Sequence, residues 1–234
     1  MTIWNLLLIF SAPLLGGVVA LLFREQAAAN YKLVLSFSGA FLFTIILLHL
    51  FPAVFQNSPD AGLFVLIGFF IQILLEQLTQ GIEHGHFHPH EQSGSYIVPL
   101  IAGLSLHSFL DGIPLSSDQV MRETHHALLY GIFIHKIPEG FALASILIIS
   151  NYRNSRIGLY LSLFALVAPL AMLLGNYFQQ YQAALLNSLI AVALGSFLHV
   201  STTILFESEN KSHRFGWKRI GAILVGGGLA FIFS

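Results

Sequence analysis

Cysteine is absent from the 234 residues, and Asp, Glu, Lys and Arg together make up only 9% of them. Without thiols there are no disulfides, no thiolate metal ligands and no thiol redox chemistry. Ordinary soluble domains carry roughly 25% charged residues, whereas this chain is 56% hydrophobic with a mean hydropathy of +0.77. A soluble fold of this length cannot cover so much apolar surface, but a bilayer accepts it. A net charge of -1 gives no basic field for nucleic acid. No G-x-x-x-x-G-K-[ST] segment occurs, so no ATP site is expected in this chain. The first apolar run lacks a basic leader and an A-x-A cleavage site, and it reads as a retained helix rather than a secretory signal.

What is present is long apolar runs. They predict an all-α, polytopic membrane protein with eight spans, at roughly 3–23, 31–54, 61–80, 95–116, 126–150, 157–178, 183–206 and 217–234, since about 20 apolar residues cross the hydrocarbon core. The connections are short, and the whole chain, 1–234, forms a single transmembrane domain. The surplus of 21 phenylalanines is assigned to lipid-facing bulk and packing.

Positive charge orients these spans. Arg24, Lys32, Arg153, Arg156, Lys211, Arg214, Lys218 and Arg219 flank the odd-to-even connections, while the other side carries only Arg122. The first, third, fifth and seventh connections are therefore expected in the cytoplasm, and both termini on the extracytoplasmic side. The third connection has no Lys or Arg and follows by parity.

Ionisable residues inside spans cost several kcal/mol unless pairing or function offsets them, and two segments stand out. His107-Ser108-Phe109-Leu110-Asp111-Gly112 and His135-Lys136-Ile137-Pro138-Glu139-Gly140 each place an imidazole four residues before a carboxylate, with glycine next. Residues i and i+4 share a helix face, about 6 Å apart along the axis. Two such helices facing each other offer two histidines and two carboxylates to one point, a ligand set for a borderline dication such as zinc. Pro114 and Pro138 would free the carbonyls of Leu110 and Ile134 beside these ligands; a packing kink is the alternative. The loop 81–94 carries His84, His86, His88 and His90 on a Gly/Pro backbone. It suits either weak, fast-exchanging metal contact or a plain polar connector.

The two motifs resemble those of the ZIP (Zrt/Irt-like) family of divalent-metal transporters, whose fourth helix carries H-[NS]-x-x-[DE]-G and whose fifth carries a His-x-x-Pro-Glu-Gly type segment. The eight-span layout and the histidine-rich third connection fit the family, and His49-Leu50-Phe51-Pro52 resembles its HLxP ending of the second helix. A prokaryotic type of member is expected, in a bacterial inner (cell) membrane. The resemblance implies a metal centre of His107, Ser108, Asp111, His135 and Glu139, with His49 on the pathway. It also implies a moving bundle of spans one, four, five and six against a scaffold of spans two, three, seven and eight, a homodimer, and sliding alternating access that carries the metal inward. The divalent metal, zinc first, is then substrate and not cofactor. Iron, manganese, cobalt and cadmium fit the same donors.

Two departures from the family pattern bear on stoichiometry. Lys136 stands where many members have a ligand, and Ala168, before Pro169, stands where many have a Glu. Both positions serve a second metal in binuclear members. One central metal is therefore expected, with the Lys136 ammonium as surrogate for the second, paired with Asp111 or Glu139. The alternative for Lys136 is a side chain reaching to the interface. For the chain as a whole, the competing reading is an intramembrane metal-dependent hydrolase, with His107, Asp111 and His135 as ligands and Glu139 as base. Glu76, His199 and Glu207 are candidate route-lining or helix-interface residues, and Glu123, His125 and His126 candidate cation attractors.

Overall fold

The computed structural model describes residues 2–81, 97–117, 125–206 and 216–232. Among these, every regular element is helical. We number the rods by span: α1 Ile3–Leu22, α3 Ala61–Thr79, α4 Ile97–Gly112, α5 His125–Ile149, α6 Asn154–Tyr181, α7 Ala183–Phe206 and α8 Trp217–Ile232. The second rod, α2, is Arg24–Ile45, a π-helical turn Ile46–Leu50 and a last stretch Phe51–Asn57. The chain is thus a polytopic helical membrane protein, as its hydropathy predicts, with seven helices long and apolar enough to cross a bilayer. The described part of α8 has 16 residues, about 24 Å at 1.5 Å per residue against a hydrocarbon core of about 30 Å.

Three boundaries differ from the sequence expectation. Only Phe23 separates α1 from α2, because residues 24–30 are helical and not a connection. Arg, Glu, Gln and Ala are strong helix formers, so the helix outruns its apolar part; hydropathy marks the membrane, not the helix end. The π turn falls on His49-Leu50 just before Pro52, whose missing N–H and bulky ring disturb the regular ladder. Pro114 does not kink α4 from within. The α-helix stops at Gly112, and Ile113–Ser116 is a 3-10 turn closed by Ser116 Oγ donating to Ile113 O.

α1 packs on α5 and α6, α3 on α7, α8 on α2 and α4 on α6, while α2 also touches α5 and α7. Two of these contacts have the same construction. A Cβ on Gly16 would overlap the Ile137 carbonyl, and one on Gly140 the Pro13 carbonyl; likewise Gly68 meets the Val192 carbonyl and Gly195 the Val65 carbonyl. In each pair, both glycines lie over the carbonyl three residues before the other. Backbones approach this closely only where side chains are missing, the usual device of helix pairs in lipid.

Buried apolar side chains form two clusters. One holds Ile113, Ile132, Met172 and Phe197, the other Leu104, Phe141, Phe164 and Val200. Along α4, α5, α6 and α7 the switch from one cluster to the other falls between those residues. The polar residues of the two motifs occupy the gap on α4 and α5.

Candidate metal centre

His107 and Asp111 are one turn apart on α4, and His135 and Glu139 one turn apart on α5, as the i, i+4 spacing requires. All four, with Ser108 and Lys136, are 0–1% exposed. Gly140 lets α1 close on the back of α5. Gly112 does the same for α6 behind α4, since a Cβ there would overlap the Ala168 carbonyl.

Glu139 is the hub. Its Oε1 lies 3.3 Å from His107 Nε2 and 3.2 Å from His135 Nε2, while Oε2 accepts a hydrogen bond from Lys136 Nζ at 2.7 Å. Lys136 also donates to Asp111 Oδ2 at 2.5 Å, and that oxygen is 3.6 Å from His107 Nε2. The ammonium lies 5.7 Å from the ring centroid of Phe164 on α6, within cation–π range.

His107, His135 and Glu139 each offer a donor atom, and the three atoms lie within 4.8 Å of one another. Among the described residues, both Nε2 atoms, Glu139 Oε1 and Asp111 Oδ1 are buried without a hydrogen-bond partner. Buried polar atoms are rarely left unpaired, because each costs about 1–3 kcal/mol. Two imidazole nitrogens and one carboxylate oxygen converging without partners suit a cation drawn toward them. Bonds of about 2.0–2.1 Å in a tetrahedral shell put donors about 3.3 Å apart, and Glu139 Oε1 stands 3.3 and 3.2 Å from the two imidazole nitrogens.

The sequence-predicted residues therefore divide. Three form the donor cluster. Asp111 stands beside it in ion pair with Lys136, which bridges both carboxylates and does not reach for the interface. Ser108 is buried on α4, one position round from His107. His49 lies in the π turn of α2, and its buried Nε2 has no hydrogen-bond partner among the described residues. Glu76 and His199 pair across α3 and α7 at 2.8 Å. His84, His86, His88 and His90, with Glu123 and Glu207, lie outside the described residues. The sequence reading passed over Gln72 and Ser196, both 0% exposed and bonded to each other beside His107. The signal was Gln72 itself, an amide in the middle of an apolar run and one turn before Glu76.

A helical membrane protein with a buried, mixed nitrogen and oxygen donor centre belongs among the carriers or enzymes of divalent metals. A model of the ZIP zinc transporter family matches residues 83–234, from the histidine-rich loop through α8. This chain belongs to that family. The zinc transporter ZIP9 of Micropogonias undulatus is 30% identical over 159 residues, which cover 63% of this chain and 51% of that protein. ZIP9 of Xenopus tropicalis is 30% identical over 151 residues, 60% of this chain and 50% of that protein. The chain spans about half the length of the curated relatives it matches.

Proposed function

We propose that the chain carries a divalent transition metal, zinc first, across a membrane through one central position. There His107 Nε2, His135 Nε2 and Glu139 Oε1 bind the ion and Asp111 adds charge. The observation that carries this reading is the convergence of three buried donor atoms, without hydrogen-bond partners among the described residues, on α4 and α5 in a ZIP-family chain. The family and the relatives named above are zinc transporters, which supports transport over an intramembrane hydrolase.

The ion moves into the cytoplasm by alternating access. The donor atoms are buried and lie between two apolar clusters, so an ion reaches or leaves them only when helices part. Sliding of α1, α4, α5 and α6 against the remaining rods opens one side at a time. The two glycine-locked crossings suit this division, since α1–α5 falls within one group and α3–α7 within the other. A dication moving down a potential of 100 mV gains about 4.6 kcal/mol, at about 2.3 kcal/mol per charge, before any countercharge moves. The protein works as a homodimer in a bacterial inner membrane, with its termini outside, and the histidine-rich loop stands at the cytoplasmic mouth.

Zinc uptake into proteoliposomes tests the centre. His107→Ala, Asp111→Ala, His135→Ala and Glu139→Ala should each reduce uptake severely while inserting normally. Near-normal uptake by any two of the four overturns the assignment, and release of amide or ester products without uptake would point to the hydrolase.

A further inference from the structure

His107 meets a second helix pair through its other ring nitrogen. Nδ1 lies 3.1 Å from Oε1 of Gln72 on α3, and the same oxygen accepts a hydrogen bond from Ser196 Oγ on α7 at 2.7 Å. Gln72, Ser196 and His107 are all 0% exposed. A carboxamide oxygen only accepts, so Nδ1 carries the proton in this contact. A neutral imidazole protonated at Nδ1 keeps its lone pair on Nε2, the atom turned toward Glu139 and Asp111. The other tautomer would present an N–H to the centre and could not ligate.

Backbone packing holds the acceptor still. Gly68 is one turn before Gln72 and Gly195 directly precedes Ser196, so both residues sit at the close crossing of α3 and α7. Among the described residues His135 has no counterpart, since neither of its ring nitrogens has a hydrogen-bond partner.

We propose that Gln72, steadied by Ser196, is a positioning residue for metal capture. It sets His107 in the Nδ1–H tautomer so that Nε2 is the ligand, and it makes the α3–α7 pair part of a centre whose ligands lie on α4 and α5. This rests on the reading of His107 as a ligand of the transported ion. Imidazole ligands generally donate their second N–H to an oxygen that fixes the ring. Here the oxygen belongs to a neutral amide, so it orients His107 without adding charge to a centre that already holds two carboxylates. It also sits on a different helix pair from the ligands. Displacement of α4 relative to α3 and α7 breaks the bond, releases the tautomer and weakens the site in the displaced state.

The test uses the full chain, purified in detergent and also reconstituted. In ¹⁵N-histidine spectra of the metal-free protein, with His107→Ala for assignment, His107 should be protonated at Nδ1; protonation at Nε2 overturns the proposal. Gln72→Met, which keeps the bulk and removes the acceptor, should weaken zinc binding by about 10- to 100-fold and leave His107 as a tautomer mixture. Gln72→Glu, which keeps an acceptor, should bind at least as tightly as the native protein. A folded Gln72→Met with native affinity and tautomer overturns the proposal. If Gln72→Met does not fold, Ser196→Ala should show a smaller loss of affinity, and native affinity there overturns it instead. A native protein that shows the binding pattern but no uptake in proteoliposomes leaves Gln72's role standing and overturns the transport reading alone.

Discussion

At the residue scale, the Lys136 ammonium touches a carboxylate oxygen of both Asp111 and Glu139, and it is 1% exposed. Removing one partner from such a buried set leaves uncompensated charge, at about 3–5 kcal/mol. Lys136→Met, which keeps most of the packing, should therefore be less stable than the native protein by about that amount when metal is chelated. A dication bound at the proposed centre would take over the ammonium's role, so zinc should raise the melting temperature of the variant more than that of the native protein. Thermal unfolding in detergent with EDTA and with excess zinc checks both statements. Equal stability of variant and native protein in EDTA would mean that Lys136 does not balance the carboxylates. The pairing with Asp111 or Glu139 was expected from the sequence. The simultaneous contact with both was not, because i, i+3 spacing gives the link to Glu139 but says nothing of how α4 faces α5.

At the element scale, the glycines of α1 and α5 decide how closely two rods meet. Gly16 and Gly140 each lie over the other helix's backbone, so a methyl group at either must push the rods apart. Overpacking of this kind costs about 1–3 kcal/mol. Gly16→Ala and Gly140→Ala should each destabilise by that order, and the double variant by less than the sum, since either change opens the same crossing. Gly140→Ala should also weaken zinc binding, because Glu139 is the adjacent residue. Gly158→Ala is the control. Among the described residues nothing lies within 4 Å of a Cβ there, and replacing a helix glycine by alanine favours the helix by about 0.5–1 kcal/mol. Chemical unfolding and zinc titration of the three single variants and the double variant measure all of this; a Gly140→Ala protein as stable as Gly158→Ala would show that the crossing tolerates more space.

At the scale of the whole molecule, the centre lies in a polar gap between two apolar clusters, so its charge is screened by protein and not by water. With both imidazoles neutral, two carboxylates and one ammonium sum to -1, and one dication brings the centre to +1. A second dication would bring it to +3 with few donors left, which a low-dielectric interior opposes. One metal per chain is the expected stoichiometry. The Ala168 carbonyl packs against Gly112, the residue after Asp111. Lys136→Asp combined with Ala168→Glu should raise bound metal toward two per chain. Anomalous scattering from cadmium-soaked crystals counts the ions directly. Two strong peaks about 4 Å apart in the unmodified protein would overturn the single-metal reading.

Sequence alone determined the membrane class, the rods and the two motifs. Apolar run length and the i, i+4 spacing of His107 with Asp111 and of His135 with Glu139 are local, one-dimensional properties that survive any packing of the rods. The histidines and carboxylates were legible because an ionisable side chain in an apolar run is conspicuous without knowledge of its neighbours. Helix ends at residues 24–30 were less so, because hydropathy reports the solvent around a helix and not its backbone. Only the tertiary structure decided which donor atoms converge, that Asp111 turns to Lys136 while Glu139 Oε1 faces both imidazoles, and that Gln72 and Ser196 stand behind His107. Those facts depend on the rotation and approach of rods far apart in the chain, which are set by glycine contacts such as Gly68 with Gly195, 127 positions apart, and no local pattern encodes which partner a glycine will meet.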